Sequence, residues 1–136
     1  MTLTVSEGLA AVAMLCVLGL ISGPARAAGE FPFGMEMTLD ASPLSGSKRI
    51  PNLEIGDRGE VKLELWCKGG SGQFSVAGST VVFVAGVMDQ RTCSPAQVAA
   101  DDALLAELGE ATSWSRQGDS LSLMGRKTLR FYLNSN

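Results

Sequence analysis

The sequence contains no histidine, and this absence excludes several kinds of catalytic site. Histidine is the usual general base and metal ligand near neutral pH, so neither a Ser-His-Asp nor a Cys-His arrangement can be built here. A glycosidase-type pair needs two carboxylates that face each other, whereas the adjacent Asp101 and Asp102 point in different directions on a helix. The composition therefore predicts a protein that is not an enzyme and holds neither a metal nor a cofactor.

Basic residues are also few, and they are scattered along the chain. Lys and Arg number 11 against 14 Asp and Glu, which gives a net charge of −3. Nucleic acids and anionic membranes bind clusters of Lys and Arg. We therefore expect neither as a partner. The protein itself is expected to be a monomer.

Long hydrophobic runs are absent except near the start of the chain. An apolar run from Leu9 to Ile21 is followed by Ser22-Gly23-Pro24 and Ala25-Arg26-Ala27. A membrane helix needs about 20 apolar residues, more than this run has. The order of apolar run, helix breaker and A-x-A site is typical of a secretory signal peptide. Two alternatives remain open at this point, an uncleaved anchor and a buried core helix.

The pattern thus predicts a signal peptide over residues 1–27, cleaved after Ala27, and one domain over residues 28–136. The segment before Leu9 carries Glu7 and no positive residue, which is unusual for a signal peptide and puts the start codon in question. The predicted location is the periplasm or the extracellular medium, with no stable membrane insertion after cleavage.

Only three cysteines are present, and Cys16 would leave with the signal peptide. In an oxidising compartment the remaining pair, Cys67 and Cys93, is expected to form a disulfide. Such a bridge would close a loop of about 26 residues and stabilise the domain by roughly 3–4 kcal/mol. The alternatives are two buried free thiols or a metal site, although the chain offers no histidine and no second thiol pair to complete a metal site.

Short strands are predicted where apolar and polar residues alternate. The clearest case is Val61, Leu63 and Leu65, which alternate with Lys62 and Glu64. The other predicted strands cover residues 35–41, 73–77, 80–85, 112–116, 120–123 and 128–133.

The segments between these strands are assigned from their turn residues. Residues 48–55 are predicted to form a loop or extended link around Pro51, and Gly69–Gly72 a flexible turn. Gly78-Ser79 is predicted to connect two strands of a hairpin. Val81–Val84 is continuously apolar, so we expect it to be covered on both faces or to face a helix.

One helix is predicted to begin at Ser94. Ser94, Pro95 and Gln97 occupy the N-cap, N1 and N3 positions of a capping box. Val98, Leu104, Leu105 and Leu108 form the apolar stripe. Asp101, Asp102 and Glu107 are assigned to the solvated side, and Gly109 to the helix terminator. Together the elements predict an α+β, mostly β fold: a small antiparallel sheet curled towards a barrel, with one helix packed on it.

Several segments occur in an order that is typical of a known family. They are a strand ending at Cys67, the hairpin 72–81, the link Arg91-Thr92-Cys93-Ser94-Pro95, the helix residues 104–108, the segment 111–114 and the hairpin 117–123. In this order the chain resembles the META domain, also called HslJ-like, closely over residues 60–133 and loosely over 37–59. After the first cysteine the family commonly has Asn followed by an aromatic residue, whereas this chain has Lys68-Gly69-Gly70. The small residues and Met that precede the second cysteine in the family are displaced in this chain. The resemblance is therefore to a divergent exported member, of alphaproteobacterial type.

This resemblance implies a small β-rich fold, export to the envelope and an association with stress or drug tolerance. It implies no agreed catalytic activity, cofactor or mapped active site. The leading hypothesis is a module that binds or shields other envelope components under stress. The alternative is an inhibitor of an envelope or secreted hydrolase that inserts a disulfide-pinned loop, at residues 68–72 or 86–93.

Four side chains form the candidate interaction surface. Trp66 is assigned to the sheet face opposite Leu63 and Leu65, and Trp114 lies in one of the last strands. Aromatic residues on a sheet face belong either to the core or to a partner-binding surface. Lys68 and Arg91 flank the two cysteines, so a disulfide would bring them to one rim, where they act in recognition or serve as ordinary surface charges.

Overall fold

The computed structural model describes residues 29–134, together with the isolated residues Thr2 and Gly19. Apart from those two residues, the predicted signal peptide lies outside the described residues. The elements in chain order are β1 (Glu36–Leu39), β2 (Asn52–Ile55), β3 (Glu60–Glu64), β4 (Gly69–Ala77), β5 (Thr80–Met88), α1 (Pro95–Glu110), β6 (Ser113–Gln117), β7 (Ser120–Met124) and β8 (Thr128–Leu133).

The eight strands form one closed antiparallel barrel in chain order. Each strand pairs with the next, and β8 returns to β1 with Met37 opposite Leu133, which closes the ring. Successive side chains of a strand point to opposite faces, so every second residue enters the barrel. The inward residues Met37, Leu63, Leu121 and Phe131 are completely buried. The predicted mostly β fold, an antiparallel sheet curled into a barrel with one helix, is confirmed.

Strand β2 lies in the segment 48–55, which was predicted to be a loop or an extended link; its last four residues are extended, but they form a paired strand that the sequence did not predict. Leu53 and Ile55 are buried while Glu54 between them is exposed, as expected for a strand with one wet face. The segment has only four residues, too few for the alternation to stand out in the sequence. Its pairing with β1 on one side and β3 on the other stabilises the extended conformation.

The segment Gly69–Gly72 forms the first half of β4, and its assignment as a flexible turn is also wrong. Gly70 lies opposite Leu63 of β3, and Gly72 lies opposite Val61. A Cβ added at Gly72 would lie 2.6 Å from the Phe83 ring, and one at Gly70 would meet Met88 and the carbonyl of Val87. Glycine is therefore present because side chains and backbone of the neighbouring strand β5 occupy the space that a Cβ would need.

We predict opposite effects for the same added methyl group at two glycines. Gly72→Ala should lower the free energy of unfolding by about 1–3 kcal/mol, because the methyl overlaps the Phe83 ring. The control, Gly109→Ala, lies in α1 with no atom near its Cβ position, so it should raise stability by up to about 1 kcal/mol through helix propensity. Urea unfolding of both variants measures the difference. Equal effects would mean that Gly72 lies in a flexible segment after all.

Helix α1 begins as predicted and ends later than predicted. The Ser94 hydroxyl accepts from the Gln97 backbone N–H, and the Gln97 side chain accepts from the Ser94 N–H, which confirms the capping box. Gly109 lies inside the helix, and the cap is Ala111 in an extended conformation with φ −65°. Because the chain leaves the helix extended, no left-handed glycine is required there.

The helix lies between β5 and β6 in the chain, and these two strands have Thr80 and Ser113 as their only register pair. It packs against β5 and contributes Leu104 and Leu108 to the core. Strand β5 beyond Val81 therefore has a strand partner, β4, on one side only.

Candidate functional site

Cys67 and Cys93 are joined by a disulfide, in agreement with the pairing expected from the sequence. Their Cα atoms lie 6.1 Å apart, within the normal range for a disulfide. Cys67 follows the end of β3, and Cys93 precedes the N-cap of α1. The disulfide therefore links the segment that follows β3, at one end of the barrel, to the start of the helix. We call this region, residues 64–68 with 89–93, the disulfide rim.

Asp101 lies under the disulfide rim and is buried, with 1% of its surface exposed. Its carboxylate accepts backbone hydrogen bonds from Trp66 (2.7 Å), Cys67 (3.3 Å) and Lys68 (2.9 Å). The assignment of Asp101 to the solvated side of the helix is therefore wrong, whereas Asp102 is exposed as predicted. These three backbone N–H groups follow the last paired residue of β3, and the Asp101 side chain of α1 serves as their acceptor. Such an acceptor is needed because buried backbone donors must be paired.

Two guanidinium groups hold the other side of the Cys67 peptide. The Cys67 carbonyl accepts from Arg49 at 3.2 Å and from Arg91 at 3.1 Å. Arg91 also pairs with Asp89 at 2.9 Å, and both arginines contact the Glu64 carboxylate. Arg91 thus lies beside the disulfide as predicted, but its donors are used within the rim. This network fixes the position of the Cys67 peptide.

The predicted aromatic surface is not present at the disulfide rim. Trp66 is only 8% exposed and belongs to the core, which is the first of the two alternatives given for it, so it is not part of an interaction surface. Trp114 is half-buried, packs edge-on against Phe31 with ring centroids 5.4 Å apart, and donates its indole N–H to the Gly78 carbonyl. Lys68 lies at the rim and is half-buried. The four candidates are therefore not one surface: Trp114 lies away from the rim.

Among the described residues, three of the five exposed large hydrophobic side chains lie on β5; the other two are Phe33 and Tyr132. Val82, Val84 and Val87 are 51%, 61% and 82% exposed, so residues 81–84 are not covered on both faces. The other alternative, that the strand faces a helix, agrees with the packing of α1 against β5. Val81 and Phe83 do face the core. We call Val82, Val84 and Val87 the valine face. An all-apolar run hides the period of two, so the sequence carried no signal that every second residue of 81–84 is exposed to solvent.

A second surface feature is an open cavity of about 990 Å³ over the first three strands. Its lining contains five carboxylates and one ammonium group, from Glu36, Glu54, Asp57, Glu60, Asp119 and Lys62. Within residues 29–134, no three side chains of the metal-binding types come together as a metal site would require. In the same part of the chain, no helix has the length and apolarity needed to cross a membrane.

Comparisons with known proteins agree with this geometry. A family model described as the META domain matches residues 35–136. No curated protein matches the chain. Among solved structures, an NMR structure of a protein from Burkholderia xenovorans is similar, with a TM-score of 0.64 and 14% sequence identity over 76% of this chain and 84% of that one. At this identity the likeness shows a shared fold.

Proposed function

The chain belongs to the META domain family, and from this premise we propose that it is an exported, non-catalytic binding module of the bacterial envelope. Its partners are extended, apolar segments of envelope proteins that lose their structure under stress. The family is not a known enzyme family, and the absence of histidine from the chain removes the usual general base. The proposal depends on the valine face.

The valine face has the properties of a surface for an uncharged, extended partner. Residues 80–88 contain no charged side chain, and the neighbours on β4 opposite Val82 and Val84 are Ser75 and Gln73. Exposed strands are normally protected by lysine, proline or a covering loop, since an apolar strand invites pairing. β5 carries neither lysine nor proline, and beyond Val81 it has no second strand partner within the described residues. Helix α1 packs against β5, yet the side chains of the valine face stay exposed. An extended apolar segment that packs its side chains against these valines fits this chemistry.

The binding proposal is tested by suppression of aggregation. The mature, disulfide-bonded protein should slow the aggregation of heat-unfolded citrate synthase, measured by light scattering. Replacing all three valines of the valine face with Thr keeps the β-branched shape but removes apolar surface, and should reduce the suppression several-fold. Thr128→Val, an exposed site on β8, is the control and should change nothing. Equal suppression by all three proteins would contradict the proposal.

Export is supported by the signal-peptide pattern and by the Cys67–Cys93 disulfide, which is typical of oxidising compartments. We expect the mature protein to begin at Ala28 and its mass to be two hydrogens below that of the reduced chain. Mass spectrometry of protein from a periplasmic extract measures both. An N-terminus at Met1, or two thiols that react with iodoacetamide without reduction, would contradict export.

The second candidate function, hydrolase inhibition, is now limited to one segment. Residues 69–72 lie in β4 between two strands and cannot insert into an active site. Residues 89–93 remain, because the disulfide and Arg91 hold this exposed link in one conformation. Capture of a single hydrolase in one-to-one ratio by the oxidised protein, lost on reduction, would favour inhibition over the proposed binding role.

A further inference from the structure

The outward face of β6, β7 and β8 carries a small hollow lined only by polar side chains. Its volume is about 290 Å³, and it is lined by Ser115, Gln117, Ser120, Ser122 and Arg130. The alternate residues of these strands, such as Leu121 and Phe131, fill the barrel core. The hollow lies on different strands from the valine face, so it is independent of the binding role proposed above.

The strand register brings the lining side chains together. Ser122 lies opposite Ser115 on β6 and opposite Arg130 on β8, and Ser120 lies opposite Gln117. Directly opposed residues on one face have Cβ atoms about 5 Å apart. A guanidinium, an amide and three hydroxyls therefore surround one small space.

Arg130 is the only charged residue in the lining of the hollow, and no carboxylate in the lining balances its positive charge. The four ion pairs among residues 29–134 involve Arg49, Arg91 and Lys127 as the cations. Arg116 on the inner side of β6 donates to the carbonyls of Glu30 and Gly118. Arg130 takes part in none of these ion pairs. The neighbouring carboxylate is that of Asp40, whose backbone N–H donates to the Arg130 carbonyl; this carboxylate accepts from the Tyr132 hydroxyl and forms no ion pair with Arg130.

We propose that this hollow binds an oxyanion carried on a sugar-sized, polyhydroxylated molecule. A guanidinium binds a phosphate or carboxylate group through two parallel N–H bonds. The hydroxyls of Ser115 and Ser122 and the amide of Gln117 both donate and accept, as sugar hydroxyls require. The volume lies just below the usual range for drug-sized ligands, which limits the ligand to about one sugar ring.

The test is an NMR titration of the ¹⁵N-labelled, disulfide-bonded protein at constant ionic strength. Glucose 6-phosphate and glucuronate are the oxyanion probes, with inorganic phosphate and neutral glucose for comparison. We expect saturable shifts at the amides of Ser115, Ser122 and Arg130. The oxyanion sugar should bind more tightly than either inorganic phosphate or glucose. The phosphate and carboxylate probes then show which oxyanion the hollow prefers.

Two charge-matched variants separate a specific site from general electrostatic attraction. Arg130→Gln should weaken binding about tenfold or more, since it removes the charge-assisted hydrogen bonds. Arg126→Gln removes the same charge at an exposed turn between β7 and β8 and should leave the affinity unchanged. Thermal unfolding confirms that both variants are folded. Absence of saturation, equal losses in both variants, or sugar phosphate binding no better than inorganic phosphate would overturn the proposal.

Discussion

Replacing Asp101 with Ala should lower the free energy of unfolding by about 3–5 kcal/mol, since the change removes a buried acceptor from several donors at once. The carboxylate accepts from the backbone N–H groups of Trp66, Cys67 and Lys68 and is 1% exposed. Each buried donor left without a partner costs about 1–3 kcal/mol, and water entering the vacated space recovers part of the sum. Urea unfolding followed by tryptophan fluorescence measures the loss, because Trp66 lies at the site.

Two control variants assign this loss to the hydrogen bonds. Asp101→Asn keeps the shape and one acceptor oxygen, so its effect should be clearly smaller than that of Asp101→Ala. Asp102→Ala alters the neighbouring exposed carboxylate and should change stability by less than about 0.5 kcal/mol. If Asp101→Ala and Asp102→Ala had the same small effect, Asp101 would lie at the helix surface, as the sequence pattern predicts.

Replacing Cys93 with Ser should lower the free energy of unfolding by about 3–4 kcal/mol, because the disulfide no longer restricts the unfolded chain. The bridge joins residues 26 positions apart. For a domain of this size the loss corresponds to a fall in melting temperature of roughly 10–20 °C. Differential scanning calorimetry of the mature protein measures the fall.

A reductant provides the matching control for the cysteine variant. Dithiothreitol should lower the melting temperature of the wild type to that of Cys93→Ser and should leave Cys93→Ser unchanged. A wild type that melts at the same temperature with and without reductant would show that the pair is not bridged in solution.

The two substitutions should also be non-additive. The Cys67 N–H is held by Asp101 and the Cys67 side chain by Cys93, so both changes act on the same segment after β3. Once this segment is released by one change, the second has less native structure to lose. The double variant should therefore lose less stability than the sum of the single losses, which a double-mutant cycle measures.

Much of the fold could be predicted from neighbouring residues. The alternation of Val61 and Leu63 with Lys62, the Gly78-Ser79 hairpin and the capping box at Ser94 all appear in the structure where the pattern places them. Each of these signals lies within a few residues of chain, because strand alternation and helix capping are local properties. The end of α1 could not be predicted from local residues, because it depends on how the chain continues after Glu110.

The candidate site could be predicted only in part. The cysteine pairing and the position of Arg91 beside it follow from composition and spacing. The burial of Trp66 and Asp101 does not follow from composition and spacing, because the solvent exposure of a helix or strand face depends on which elements pack against it. The valine face shows the reverse case: an apolar sequence predicts burial, whereas the structure leaves Val82 and Val84 exposed.

The alternating strands, the start of the helix, the pair of cysteines and the absence of histidine-based chemistry can all be read from the amino-acid sequence. Three other features depend on the folded barrel: the contact of the Phe83 ring with Gly72, the use of Asp101 and Arg91 to hold the Cys67 peptide, and the exposure of the valine face. The two groups differ in the range of the interactions that produce them. Alternation and capping depend on adjacent residues, whereas burial and backbone pairing at the disulfide rim arise when the barrel closes and brings distant segments together.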